Sequence, residues 1–327
     1  GASAQARGPI NWPAQRDGGA FLKMWLAPVL QQLGGEDWNE GFAPLVEIVF
    51  PEGGSLITPS FPAATNMGAL TLQRLRSLLL GALGSATRGR APAEQEGGHW
   101  GGLRGRDPKG RFFLFREPLG AGTGARPGGD GQDGLLLPPA GLSLWAEEFE
   151  EEFPARVERF ALAEDSGGAG RHRGGLGLVK EVRLLCDCEV FALSDRSYLS
   201  PWGVNGGRAG GRFSITSSPG TPVAREAPAL GGGLALREGD LLRVVTTGGG
   251  GWGDPLEREP ERVREDVLQG KVSMDQAMRH YGVILNPETL RLDPPGTSAF
   301  RQFIRARRGK LPFFDRGPNY ASLQGQR

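Results

Sequence analysis

The chain has 327 residues, 38% of them hydrophobic, enough for one large domain or two smaller ones with a real core. Lysine plus arginine number 38 against 37 aspartate plus glutamate, a balance that excludes a dedicated nucleic-acid binder with its basic stripe. No run reaches the ~18 consecutive apolar residues of a membrane span and the N-terminus has no signal-peptide layout, so a soluble, cytoplasmic protein is expected.

Glycine is abundant, at 54 residues, but gathers in short runs between apolar segments. That pattern reads as turns and close backbone approaches in a strand-rich fold, not as low complexity. The chain opens GASAQARGPIN without a methionine, inside what reads as ordered sequence. This is expected of a processed chain or of a segment that starts within a longer protein.

In chain order, Asp17 to Leu33 predicts a helix, with Phe21, Leu22, Trp25, Leu26, Val29 and Leu30 as its apolar stripe. Ala43 to Phe50 reads as a strand stopped by the turn at 51–54. A Leu-rich helix follows over about 68–83, apolar around much of its surface and so expected to be buried. Residues 84–110 show no period and read as loop, and Arg111–Phe115 as a short strand before the glycine-rich stretch 120–134. The acidic run Glu147–Glu152 reads as a solvated helix face, with Phe149 and Phe153, four apart, packing one side down. Ala155–Ala163 predicts a strand.

From Leu176 to about Val245, strand-like runs alternate with glycine turns, as in a sandwich or barrel-like layer. After Gly248–Gly251 the pattern turns helical, over Pro260–Leu268, Ser273–His280 and Ser298–Arg307, before a polar tail. Ser273 with Gln276 fits a capping box. The fold class expected is therefore mixed α+β. It comprises an N-terminal α/β portion over 1–140, a strand-rich sandwich- or barrel-like middle over 141–255 and a small helical C-terminal part over 256–327. Cys186 and Cys188, alternate residues on a strand, share one face and suit neither an unstrained disulfide nor a zinc site, so packed, reduced thiols are expected.

Four stretches, in order, resemble the hydantoinase B/oxoprolinase family: QARGPIN (5–11), PEGGSLITPSFPAATN (51–66), EDSGGAGRHRGGLGLVKEVRLL (164–185) and TTGGGGWGDPLEREPERVREDVLQGKVS (246–273). GTGARPGGDGQDG (122–134) and SDRSYLSPWGVNGGRAG (194–210) fit the same pattern between them. The resemblance extends to about Val283 and corresponds to the C-terminal half of a B-type subunit. Members include N-methylhydantoinase, 5-oxoprolinase and large subunits of acetone-type carboxylases. It implies an A-type partner that binds and spends ATP, and a divalent metal held by acidic and histidine ligands in the N-terminal half of the B-type polypeptide. None of those ligand motifs matches here, so no cofactor is assigned to this chain. Two loops depart from the pattern. AEQEGGHWGG (93–102) stands where a Ser-Gly-Thr-Met-Asn-Asn-type loop is expected, and LLLPPAGLSLWAEEF (135–149) where a Thr-Asn-Thr-type segment is.

Several charged residues in the glycine-rich stretches are candidates for a site. Arg126, Asp130 and Asp133 sit in a loop whose glycines allow close approach. The functional reading has Arg126 engaging a carboxylate or phosphate while an Asp orients it; the structural one is an Arg–Asp pair fixing the loop. His172 and Arg173 are substrate-binding candidates, with a packing or turn-clamping role as the plainer reading. GGGGWGDP (248–255) lacks the Lys-Ser/Thr of a P-loop and the GxGxxG spacing, and reads instead as a turn that launches the next helix. His99, in a polar loop, and His280, near a helix end, read as surface or helix-terminal residues. The functional expectation is a B-type piece of an ATP-dependent cyclic-amide hydrolase assembly, with the rest of the B-type subunit as a further partner. The alternatives are an ATP-dependent ketone carboxylase, which the extension ending in 305–320 faintly favours, and a non-catalytic assembly subunit.

Overall fold

The computed structural model describes residues 4–8, 10–17, 19–20, 22–24, 26, 44, 46–66, 68–87, 90–95, 99–136 and 144–324, which fall into two compact units, 1–91 and 92–327.

In the first unit the opening QARGPIN stretch is tied to residues 54–71. Asn11, fully buried, donates its amide to Ala6 O at 2.9 Å and to Ala64 O at 2.9 Å, and accepts from Ala6 N at 2.8 Å. Gln5 accepts from Ser60 N at 2.8 Å, and Thr71 donates to Ile10 O. A buried amide satisfied on three sides holds its loop in one geometry. Helix α1 (Ala69–Ala86) buries Leu70, Leu72 and Leu80 but leaves Leu78 63% exposed, so it is half-buried where full burial was expected. The expected helix over 17–33 lies mostly outside the described residues; a 3-10 turn over Ala14–Asp17 precedes it. Of the expected strand at 43–50, residues 44 and 46–50 are described and none is in a strand; among the described residues no strand pairs with them.

The second unit is built on a sandwich of two antiparallel sheets. One orders β2 (Phe112–Pro118), β1 (Trp100–Arg106), β5 (Cys188–Leu193) and β9 (Leu230–Leu236). The other orders β3 (Ala155–Leu162), β4 (Leu178–Leu184), β10 (Leu241–Val245), β7 (Ser214–Ser217) and β8 (Arg225–Glu226). Leu103, Phe115 and Val190 of the first sheet meet Val182, Leu184, Ile215 and Leu242 of the second. The short acidic helix α2 (Ala146–Glu152) caps this core with Phe149, whose side chain is fully buried, as its four-residue spacing from Phe153 predicts. Strand β1 corrects the expected loop over 84–110. Its sequence WGGLRGR hides a period of two behind three glycines; at Gly102 a side chain would strike the Phe191 ring.

A third layer lies outside both sheets. The glycine-rich stretches 120–134, 166–177, 201–211 and 246–253 run extended and bond to each other through the backbone. Gly122 N donates to Thr247 O, Gly175 N to Thr123 O, Gly249 N to Gly175 O, Gly168 N to Gly249 O and Gly251 N to Arg208 O, all at 2.8–2.9 Å. Residues 248–251 sit at the centre: a Cβ on Gly249 would overlap the Thr123 carbonyl, and one on Gly250 the Trp202 carbonyl. Glycine is required here because backbone meets backbone with no room for side chains. The stretch is buried on every side, so it offers no cradle to a phosphate. Glu94, in the departing loop 93–102, is fully buried in this layer; it accepts from Trp202 N at 3.0 Å and pairs with Arg196. The departing stretch 135–149 is described only in part.

Helices α3 (Pro260–Leu268) and α4 (Met274–Tyr281) pack beyond the glycine layer around Val263, Val272, Ala277, Tyr281 and Val283, and α5 (Pro294–Arg307) is tied to them by Arg301, which donates to Tyr281 O at 2.9 Å. Ser273 caps α4 by accepting from Gln276 N at 3.2 Å, but its own N–H donates to Asp165 at 2.8 Å, so Asp165 takes the place of the expected Gln side chain. Helix α5 starts four residues before its expected start, at Pro294, because Asp293 accepts from Gly296 N and proline fits the first helical position. The expected polar tail contains β11 (Phe314–Asp315), which pairs with β6 (Gly203–Val204), and helix α6 (Tyr320–Gln324).

Candidate functional site

The glycine layer positions four of the five candidate side chains together. The turn at 126–129, closed by Arg126 N to Gly129 O at 3.0 Å and its reverse at 3.1 Å, leaves Arg126 in solvent, away from the rest. Beyond that turn Asp130 and Asp133 point toward the stretch at 172–176. Asp130 accepts from Arg173 N at 2.8 Å, and Asp133 from Leu176 N at 2.8 Å and Arg173 Nη1 at 3.1 Å. His172 Nδ1 lies 3.9 Å from Asp130, and its ring leans on Trp252 at 5.9 Å between centroids.

Helix α3 and its approach close the cluster. Arg258, 2% exposed, grips Asp130 with both Nη atoms at 2.7 and 2.8 Å. The same guanidinium binds Asp266 through Nη2 at 2.7 Å and Nε at 3.1 Å. Arg173 Nε stands 3.4 Å from Asp266, and Lys271 Nζ 3.1 Å from Asp133. Arg262, on the open side, reaches Asp130 at 3.3 Å. Tyr281 is buried alongside, with burial pushing its hydroxyl well above the usual phenol range.

These contacts fix the protonation states. Burial works against ionisation of Asp130, but the hydrogen bonds and charge of Arg258 outweigh it and hold the carboxyl below its usual range. Asp133 is lowered in the same way, burial being overcome by Arg173. Arg173 and Arg258 are raised despite burial, because Asp266, Asp133 and Asp130 surround them. His172 is shifted down by burial, partly offset by Asp130, so its ring is neutral near pH 7. A cleft of about 760 Å³ opens beside the cluster, lined by Asp130, Asp133, Arg258, Arg262 and Lys271.

Chemically, the cluster clamps. Asp130, Asp133 and Asp266 are each bridged by cations. Among the described residues, no three His, Cys, Asp or Glu side chains gather as a metal site. No step is routed through a metal or a nucleotide. What the cluster does is join α3 to the glycine layer through charge-assisted hydrogen bonds.

Asp266 escaped the sequence reading because it was absorbed into the helical pattern of Pro260–Leu268, and Arg258 and Lys271 because they stand just outside that pattern, where nothing in the sequence sets them apart. The available signal was Val263 and Asp266, three apart on one face, an acidic residue on the buried stripe. His99 corrects an expectation: it is 3% exposed, bonded to Thr247 at 2.9 Å and stacked on Phe213 at 4.9 Å. The loop looked polar, but it enters β1 at the sandwich rim. His280 stands in the last turn of α4, half-buried, beside Arg208 and Asp165. A second buried ion pair was also missed. Lys180 Nζ meets Glu117 at 2.7 and 2.9 Å inside the sandwich, 5.0 Å from the Phe149 ring. Period-two reading of LVKEVRL places Lys180 on the face of Val182 and Leu184, which is where it is found.

The chain matches the model of the hydantoinase B/oxoprolinase family over residues 1–255. It is 28% identical over 283 residues to the B component of a putative D-/L-hydantoinase from a Pseudomonas species, covering 85% of this chain and 47% of that one. The solved structure of the ATP-dependent caprolactamase from Pseudomonas jessenii superposes with a TM-score of 0.74 at 25% identity, covering 92% of this chain and 53% of the other. A nucleotide-free acetone carboxylase structure superposes at 0.76 with 21% identity, over 99% of this chain and 48% of the other, a likeness of fold. The chain spans less than half the length of the first curated relatives it matches. The glycine layer that organises the second unit is made of the stretches that carried the resemblance, and the match runs from the Asn11 loop to Pro255: the chain belongs to the hydantoinase B/oxoprolinase family.

Proposed function

We propose that this chain forms the C-terminal part of a B-type subunit that works with an ATP-using A-type partner to open a cyclic amide, such as a hydantoin or a 5-oxoproline-like lactam. The observation that carries the reading is the likeness to caprolactamase, a lactam-opening enzyme by name, over 92% of the chain. ATP would phosphorylate the amide oxygen and so make the carbonyl a better electrophile for water. This chain's share is scaffold and interface: the carboxylates of its charged cluster are held by internal cations, which leaves the reacting groups to the rest of the assembly. Among the described residues no helix is long and apolar enough to cross a membrane, and we place the assembly in the cytoplasm, where ATP is supplied.

Ketone carboxylation is the second reading, favoured by the acetone carboxylase likeness, which continues past residue 255 to cover 99% of the chain. The test is to purify the chain from its source with its associated subunits and assay ATP hydrolysis. Hydantoin, 5-oxoproline, caprolactam, and acetone with bicarbonate are offered in turn. ATP consumption coupled to ring opening supports the hydrolase. Consumption only with ketone and bicarbonate transfers the assignment to the second reading. A chain that purifies alone and hydrolyses nothing overturns both and leaves an assembly role.

A further inference from the structure

A second cleft shares no lining residue with the one beside the charged cluster. It opens where the glycine layer, helix α4 and the C-terminal tail meet. Its volume of about 580 Å³ falls within the ~300–1,000 Å³ of small-ligand sites. Its walls are fixed from three sides. Gln276 and His280, four apart, share one face of α4, and Asp165 sets the start of that helix by accepting from Ser273 N at 2.8 Å. Arg208 is anchored through its backbone N–H, which donates to Ala169 O at 2.7 Å. Asp315 stands in β11, paired with Gly203 of β6, and accepts from Gly317 N at 3.0 Å.

The cleft is lined by bonding capacity that the fold does not use. Ser200 is 6% exposed, yet its hydroxyl has no hydrogen-bond partner among the described residues. The Gln276 amide, the His280 imidazole and the Arg208 guanidinium have none among them either. The contact of Arg208 Nη1 with Asp315 Oδ2, at 3.6 Å, is an ion pair too long for a hydrogen bond. A buried hydroxyl left over is uncommon in a folded interior, and this one borders the same cleft as three more unspent side chains.

Charge narrows the ligand. Burial, with Arg208 adding to it, pushes His280 below its usual range, so the ring is neutral near pH 7 and offers one donor and one acceptor. The cleft then presents one cation, Arg208, and two carboxylates, Asp165 and Asp315. A simple anion meets an excess of negative charge, and a simple cation leaves the guanidinium donors unserved. A zwitterion answers both. Since Arg208 and Asp315 stand side by side, the two charges of the ligand must be neighbours as well, as they are on the α-carbon of an amino acid.

We propose that this cleft binds a free α-amino acid, its carboxylate on Arg208, its ammonium on Asp315 and its polar, uncharged side chain among Ser200, Gln276 and His280. The ligand class is read from the cleft and does not depend on which reaction the assembly performs.

Isothermal titration of the full chain with L-glutamine tests it, with no ATP present. The expected result is saturable binding with a dissociation constant on the order of millimolar or tighter. Acetate, methylammonium and γ-aminobutyrate lack one charge or hold the two apart, and each should bind at least about tenfold more weakly. Arg208→Gln and Asp315→Asn should each weaken L-glutamine by about tenfold or more. Their circular-dichroism melts should stay near that of the wild type, because Arg208 is half exposed and asparagine keeps an oxygen for Gly317 N. Absence of saturable L-glutamine binding overturns the proposal, as does an affinity unchanged in either variant. Acetate binding as well as L-glutamine overturns it too, reducing the cleft to a carboxylate site.

Discussion

Replacing Arg258 with methionine removes one side chain and five hydrogen bonds. Two go to Asp130, two to Asp266 and one to the Arg171 carbonyl. Methionine restores most of the apolar volume, so the loss reads chiefly on the charges. Breaking a buried ion pair from one side costs about 3–5 kcal/mol, because the partner is left desolvated and uncompensated. Here two carboxylates are left, though Arg173, Lys271 and Arg262 still reach them, and we expect the lower half of that range. With a urea dependence of about 2–3 kcal/mol per molar, the unfolding midpoint falls by roughly 1–2 M. Tryptophan fluorescence reports it, since Trp202 and Trp252 lie in the glycine layer. The pH dependence gives an independent sign. In the wild type Asp130 is held below its usual pKa, so its contribution is present above about 3.9 and lost as the pH falls through the folded value. In the variant burial dominates and raises that pKa, so the gap between the two proteins narrows on acidification and widens toward neutrality. Arg262→Met is the control: its side chain is 55% exposed, and its loss should cost less than about 1 kcal/mol. If Arg258→Met also costs less than that, the cluster is screened by solvent and the clamp reading is wrong.

Gly249→Ala should abolish folding of the second unit or cost more than the ~1–3 kcal/mol of ordinary overpacking, whereas Gly128→Ala, with open space around it, should leave the melt within about 0.5 kcal/mol; equal effects would refute the backbone-packing argument. Lys180→Met should destabilise by about 3–5 kcal/mol in chemical denaturation, and the double variant Lys180→Met with Glu117→Leu should recover most of it; no recovery would show that the pair is needed for more than mutual neutralisation. Cys188, whose thiol is pushed up to about 12 by burial, and Cys186, raised in the same direction, should resist a thiol reagent at pH 8 until denaturant is added; rapid labelling of the native chain would contradict their burial. His172 and His280 are both shifted down from 6.5, chiefly by burial, so the folded chain takes up fewer protons than the unfolded one. Stability should therefore fall as the pH drops below about 6.5, and imidazole resonances titrating above that value would refute the assignment.

What was legible in the sequence depended on which interaction set the local structure. Helices α3 and α4 were readable because proline, Ser273 and apolar spacing act within one turn. The strands from 178 to 245 were readable because alternation and glycine turns are also local. Strand β1 was not, since three glycines erase its alternation and only pairing with β2 and β5 defines it. His99 was misplaced for the same reason: its burial comes from Phe213 and Thr247, each more than a hundred residues away. Four of the five candidate side chains were brought together because two glycine stretches that lie apart in sequence are neighbours in the layer. Arg126 was not, because a two-residue turn faces it outward. Asp266 left a trace, an acidic residue on the stripe of Val263, whereas Arg258 could be found only once α3 was known to pack on that layer.

The same distinction explains why the family was legible and the reaction is not. In an ordinary core many apolar residues substitute for one another, and a motif blurs. In the glycine layer the spacing between backbones admits no substitute, so TTGGGG, SGGAG and GTGARPGG are each fixed by the carbonyls of the next stretch. Thr246 shows how tightly: its hydroxyl accepts from Leu178 N at 2.7 Å and donates to Gly120 O at 2.8 Å, joining three stretches at one buried atom. Asp130, Asp133 and Arg173 belong to this constraint too, because their partners are backbone amides of the layer and the guanidinium that locks α3 onto it. Such residues persist for steric and electrostatic reasons whatever is bound elsewhere. A motif made of them identifies a fold layer, and under the proposed function the groups that discriminate a lactam from a ketone are to be sought outside it.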